Sequence, residues 1–172
     1  MNKSIRNILY LVNKYNKNHS KKFIYKGMFF DLKHSNKNKI DTGYIYIKNY
    51  KSFKKYLKDI LKKDIIYKLN YWSKIMNLEY SKVYIRSSKY VWGSCSSKRN
   101  LNFSIRLISI PDNILDYIII HELSHLLYFN HNKKFWNHVS KYYPNYKRAR
   151  DILIIYQFLI FKNKIWNNIF RI

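Results

Sequence analysis

The sequence predicts an α+β fold, and three observations carry that prediction. Short aromatic and β-branched runs broken by turn residues fill residues 23–50. Apolar residues then recur at three- and four-residue intervals from about Ser52 to Leu78, the signature of a long helix. A further strand pair near residues 82–105 leads into an apolar helix that carries His121-Glu122-Leu-Ser-His125. The 172 residues read as one domain, β-rich over 1–50, with a helix and the histidine-bearing core over 51–172. That length can bury a core without disulfides, and a single cysteine, Cys95, cannot form one internally.

Each element has its own signal. Residues 1 to about 20 form a short amphipathic start that runs into a polar stretch, Asn13 to Lys22. Phe23 to Phe30 is strand-like, Ser35 to Lys39 is a loop, and Tyr44-Ile-Tyr-Ile47 resumes a strand after Gly43. Ser52 suits the N-cap of the long helix, whose stripe runs through Phe53, Leu57, Leu61, Ile65 and Leu69, with Trp72 and Met76 extending it. Lys82 to Ser88 is a strand, and Lys89 to Asn100 has turn chemistry around Trp92-Gly93. Leu101 to Ile105 then reads as the returning strand of a hairpin. Asp112, just after Pro111, is the expected N-cap of the histidine helix, drawn from there to Phe129. Asn132 caps a second helix that Pro144 ends, and a last helix spans about Tyr146 to Phe161. The aromatic tail from there to Ile172 either packs on the core or meets a partner.

Composition narrows the setting. No stretch approaches the roughly 20 apolar residues of a membrane span, and the N-terminus lacks a cleavage pattern, so a cytoplasmic protein without membrane contact is expected. The net charge of +25 invites a nucleic-acid reading. However, Lys, Ile, Asn and Tyr together make 90 of the 172 residues, and the lysines are spread along the whole chain, as nucleotide bias in a gene would leave them. Glutamate is scarce: only Glu79 and Glu122 occur, which makes a chance His-Glu-x-x-His rarer still.

From Tyr117 to Phe129 the only formal charge is Glu122. A helix apolar on all faces is buried, and buried imidazoles and a carboxylate need compensating partners. A divalent metal supplies that compensation. Residues 121 and 125 project from one face about a turn apart, while Glu122 lies about 100° round, beside the metal rather than on it. A base for a metal-bound water belongs there. Catalytic zinc takes three protein ligands and keeps a fourth position open. No glutamate follows Glu122, so the third ligand comes from His131, His138 or Asp151. An unbroken helix would put His131 about 120° off the metal face. A break at Asn130, which tolerates a left-handed conformation, with Asn132 capping the next helix, lets His131 fold back, and His131 is preferred over His138. Tyr117, one turn before His121, lines the site; it, Arg86 and Arg106 are candidates to stabilise an oxyanion. Asp116, about 140° from His121, faces elsewhere. Cys95 reads as a small buried turn residue, since a fourth protein ligand would close the site.

Trp92-Gly-Ser-Cys95, Leu101-Asn102, Arg106-Leu107, Pro111, Asp116-Tyr117, His121-Glu-Leu-Ser-His125-Leu126, Asn130-His131, Phe135-Trp136 and Pro144-Asn-Tyr146 occur in this order. The series resembles the YgjP-like zinc metallopeptidase family, related to the SprT-like proteases, over most of the chain to about Leu153. The resemblance implies a zincin-like core with a small antiparallel or mixed sheet packed on the metal helix. It also implies one Zn2+ ion on His121, His125 and His131, Glu122 as catalytic acid and base, and structural or site-lining roles for Trp92, Asn102 and Arg106. Protein or peptide substrates follow from it. The alternative, drawn from charge and interleaved aromatics, is a zinc-stabilised nucleic-acid-binding protein without turnover, or a protease recruited to nucleic acid.

Overall fold

The computed structural model describes residues 10, 14 and 19–171. The short amphipathic start expected at the N-terminus lies outside them. The apolar stripe forms helix α1 (Tyr50–Met76), which buries Phe53, Leu57, Leu61, Ile65 and Leu69 along a single i, i+4 row. Its cap is Asn49 rather than Ser52. The Asn49 side chain accepts from the Ser52 backbone N–H, so Ser52 is the capped residue. Asn77, left-handed at φ 52°, ends it.

The β-rich entry is a four-stranded sheet of β1 (Phe23–Tyr25), β2 (Met28–His34), β3 (Lys39–Ile40) and β4 (Tyr44–Ile47), in the order β1-β2-β4-β3. Lys26 and Gly27 both have positive φ, as a two-residue type I′ hairpin turn requires. The backbone N–H groups of this turn donate to the carbonyls of Ile108 and Ser109, tying the sheet to the centre of the chain. The second sheet holds β5 (Val83–Arg86), β6 (Gly93–Cys95) and β7 (Leu101–Ser104), in the order β5-β7-β6.

That second sheet departs from expectation. Leu101–Ser104 pairs parallel with Val83–Arg86, and the antiparallel hairpin partner of β7 is β6. The reversal is made at Ser96–Asn100, where Arg99 takes a left-handed φ of 59°. Residues 93–95, taken for turn, are therefore a strand, and Cys95 sits at its end.

A fully buried 3-10 turn (Ile105–Ser109) then feeds helix α2 (Asp112–Ser124), which is apolar nearly all round and packs on α1. Asp112 is the first residue of α2, not its cap; its carboxylate joins Asp64 in holding Lys26. Asp116 accepts from Lys68 Nζ on both oxygens at 2.9 Å and from Trp72 Nε1 at 2.8 Å, clamping α2 to α1. Helices α3 (Lys133–Tyr142), α4 (Tyr146–Lys162) and α5 (Lys164–Arg171) complete the chain. The aromatic tail is packed: Trp166 is fully buried and stacks on Phe23 at 5.3 Å, while buried Asn163 caps α5 and donates to the Lys22 carbonyl.

Candidate metal centre

The histidine helix stops at Ser124, five residues short of Phe129. The chain tightens there: the N–H groups of Leu126 and Leu127 donate to carbonyls three residues back. His125 Nδ1 then meets the Tyr128 carbonyl at 2.9 Å and holds the turn closed. Asn130 is not left-handed; the positive-φ non-glycine residues described are Lys26, Asn77 and Arg99. The break thus comes earlier than Asn130 and by a different device. Asn132 caps α3 as expected, accepting from the Phe135 N–H at 3.1 Å.

This turn brings three imidazoles together. One ligand atom each of His121, His125 and His131 lies within 4.8 Å of the others. The Nε2 atoms of His121 and His131 are 3.1 Å apart. A carbonyl only accepts, so His125 Nδ1 donates to it, which leaves Nε2 as the ring atom turned to the other histidines. The Phe135 ring forms a common apolar floor, with centroids 4.6–4.9 Å from all three imidazoles. Trp136 stacks on His131 at 5.5 Å and 23°.

Glu122 is 4 % exposed, and its Oε2 has no hydrogen-bond partner. Burial lifts its pKa to about 8. Gly93 of β6 packs against it so closely that an added Cβ would meet Oε1 at 2.6 Å. Together they line a cleft of about 270 Å³ with Ser94, Cys95, His125, Phe129 and the other two histidines. Burial, then the neighbouring His125, His131 and Arg150, lowers the His121 pKa to about 3, and burial lowers His131 as well. His121 and His131 are therefore neutral electron-pair donors at neutral pH. Three imidazole nitrogens within 4.8 Å of one another, two of them 3.1 Å apart, are a donor set that fits a divalent cation, and the unpartnered Glu122 oxygen lines the same cleft.

The remaining sequence candidates separate clearly. The Tyr117 hydroxyl lies 3.5 Å from His121 Nδ1, and Tyr117 and Trp92 line a groove that continues the cleft past His121 and Glu122. Burial raises the Tyr117 phenol well above its usual range. Arg106 is fully buried outside this cleft, its guanidinium 4.2 Å over the Trp92 ring and bonded to Ser104 Oγ, the Val91 carbonyl and Gln157. It braces the edge of the cleft and is not placed to meet an oxyanion. Asn102 binds Arg86 and Ser94 and lines a separate pocket across β6 with Arg86, so neither reaches the histidines. His138 points at Ser124 Oγ, 2.9 Å away, and lies between Tyr128 and Tyr142. Cys95 lines the cleft half-buried, its thiol raised by burial, but is not among the three converging ligands. Sequence reasoning missed Gly93, Phe135 and Arg150 as neighbours of the site. Gly93 alone had a signal, being one of three glycines in the chain.

A family model of the YgjP-like metallopeptidase domain matches residues 6–155, from before β1 into α4. The chain belongs to the YgjP-like metallopeptidase family. Membership makes it a metal-dependent peptidase acting on protein or peptide substrates, and α5 lies beyond the matched range. The chain is also similar to the crystal structure of the metallopeptidase zymogen of Pyrococcus abyssi abylysin, at 24% identity over 52% of this chain and 91% of that one, with a TM-score of 0.49. No curated protein matches the YgjP-like chain. Among the described residues no helix is long and apolar enough to cross a membrane.

Proposed function

We propose that this YgjP-like metallopeptidase hydrolyses peptide bonds with one zinc ion held by His121, His125 and His131, and with Glu122 as the proton-transfer group. The observation that carries the reading is the unpartnered, buried Oε2 of Glu122 in the same cleft as three converging imidazoles. When bound, zinc supplies a Lewis acid that polarises the scissile carbonyl and makes water acidic near neutral pH. Beside that divalent charge Glu122 favours its ionised carboxylate over the protonated form that burial alone favours. In the ionised form it accepts the proton of the attacking water at its free oxygen and passes it to the leaving amine nitrogen. Gly93 keeps that carboxylate in place by filling the space behind it with backbone alone. The Tyr128 carbonyl fixes the tautomer of His125, and the Tyr117 hydroxyl sits at the outer nitrogen of His121.

Strand β6 offers the substrate a seat. The carbonyl of Trp92 and the N–H of Ser96 bond inward across the hairpin. By the alternation of an antiparallel ladder, the backbone groups of Gly93 and Cys95 face away from β7, along the cleft. An extended peptide can pair there and lie across Glu122. The single free cysteine supports a reducing, cytoplasmic setting. No feature of the site favours a binding protein without turnover.

Glu122→Gln tests the assignment, because it removes the base and keeps the side chain's shape. The expected outcome is retained zinc with cleavage of a fluorogenic peptide library reduced by at least a thousandfold. Wild-type cleavage rates in the zinc-loaded variant would refute the role of Glu122.

A further inference from the structure

Arg150 lies one turn into α4, with its guanidinium carbon 4.8 Å from the Trp136 ring centroid. The same indole stacks on Tyr146 at 5.0 Å and on His131 at 5.5 Å. The Trp136 ring therefore connects the exposed histidine of the centre to this cation. Leu153, three residues further along α4, lines the groove beside His121 and Glu122, so Arg150 shares the face of α4 turned toward the site; its charge is felt at Tyr117, His121 and His131.

Arg150 has no ion-pair partner among the described residues. Asp116 is taken by Lys68 and Trp72, and Asp64 and Asp112 share Lys26. Asp151 is the single acidic residue after Glu122, whereas Lys133, Lys134, Lys147 and Arg148 add exposed positive charge to α3 and α4. A guanidinium seated over an indole, with no ion pair of its own, loses little freedom on binding and keeps N–H donors for a planar anion. An arginine with a free fork at the edge of a peptide cleft matches a carboxylate in shape and charge.

We propose that Arg150 recognises a carboxylate of the bound peptide, either an acidic side chain or the peptide's own C-terminus. This rests on the reading that the histidine cleft binds peptide, and it makes Arg150 a specificity-determining residue rather than a part of the proton-transfer machinery.

The test is binding, which needs no turnover. Zinc-loaded Glu122→Gln protein is titrated with fluorescein-labelled peptides in matched pairs, C-terminal acid against amide and internal Glu against Gln, read by anisotropy. At least one carboxylate peptide is expected to bind tenfold or more tightly than its neutral twin, and the pair that differs identifies the source. Adding Arg150→Gln should bring the ratio close to one, and Arg150→Lys should keep part of it. Arg150→Glu should reverse the preference toward Lys-containing peptides, which loss of folding could not do. Equal affinities within both pairs, no binding of any peptide, or a ratio that survives Arg150→Gln would overturn the proposal; the last assigns the preference to the protein's general positive charge. Failure of the peptidase reading shows separately, as wild-type zinc protein that cleaves neither member of any pair.

Discussion

Replacing Gly93 by alanine puts a methyl group into the space that Glu122 occupies. The new Cβ would stand 2.6 Å from Oε1, 2.8 Å from Cδ and 2.9 Å from Cγ. Ordinary contact begins near 3.4 Å, so the carboxylate or strand β6 must move by about 0.5–0.8 Å. Glu122 is buried and cannot swing aside into solvent. The glycines with positive φ are Gly27 and Gly43, so alanine is compatible with the backbone at 93 and the clash is the whole effect. Overpacking of this kind costs about 1–3 kcal/mol. For a chain of this length that corresponds to a Tm lowered by about 3–10 °C. A base displaced by most of an ångström is expected to lose about a hundredfold in kcat/KM, with zinc retained. Calorimetry, metal analysis and peptide cleavage measure the three quantities. Shortening the opposing side chain relieves the contact, so Gly93→Ala with Glu122→Asp should be more stable than the two single effects added, by about 0.5–3 kcal/mol. Wild-type Tm and kcat/KM in Gly93→Ala, or strict additivity in the double variant, would refute the reasoning.

Two further predictions concern stability. Asp116→Ala leaves Lys68 and the Trp72 indole N–H unpaired at the α1–α2 contact and should destabilise the protein by about 1–3 kcal/mol in urea unfolding. In metal-free protein, Glu122 holds its proton to about pH 8 when folded but loses it near 4.5 when unfolded, so between these values the folded state binds more protons and rising pH favours unfolding. His121 acts in the opposite sense below about 6.5, where the unfolded state takes up the proton that the folded state refuses. Stability of the metal-free protein should therefore fall by about 2 kcal/mol from pH 6.5 to 8, a span of about 1.5 units at 1.36 kcal/mol each. Glu122→Gln should flatten that fall in a pH series of denaturant melts, and an unchanged slope in the variant would contradict it.

Much of the architecture was legible because its signals are local. The i, i+4 stripe of α1 and the β-branched runs of the N-terminal sheet depend on neighbours within a turn or a strand. The second sheet was misread for the opposite reason. Whether β7 returns beside β5 or β6 is a pairing between distant residues, and a three-residue strand such as Gly93–Cys95 has too little sequence to announce itself. The end of α2 was misplaced because Leu126, Leu127, Tyr128 and Phe129 continue an apolar pattern. The structure uses them for a tight turn, leaving Leu127 and Phe129 exposed at the rim. Arg106, an oxyanion candidate by its charge and a structural or site-lining residue by the resemblance, is a fully buried brace on Trp92.

By itself the sequence determined the central arrangement. His121 and His125 share a helix face, with Glu122 turned to one side, because a helical pitch leaves residues at that spacing no other choice. The sequence preferred His131 over His138, but only the tertiary structure decided that His131 joins them, that Gly93 presses on the carboxylate, and that Arg150 sits over Trp136. Those outcomes depend on where α2 stops and on how β6 and α4 pack beside it. Such contacts between remote segments are selected by burial and close packing over the whole chain, and no short stretch of sequence contains them.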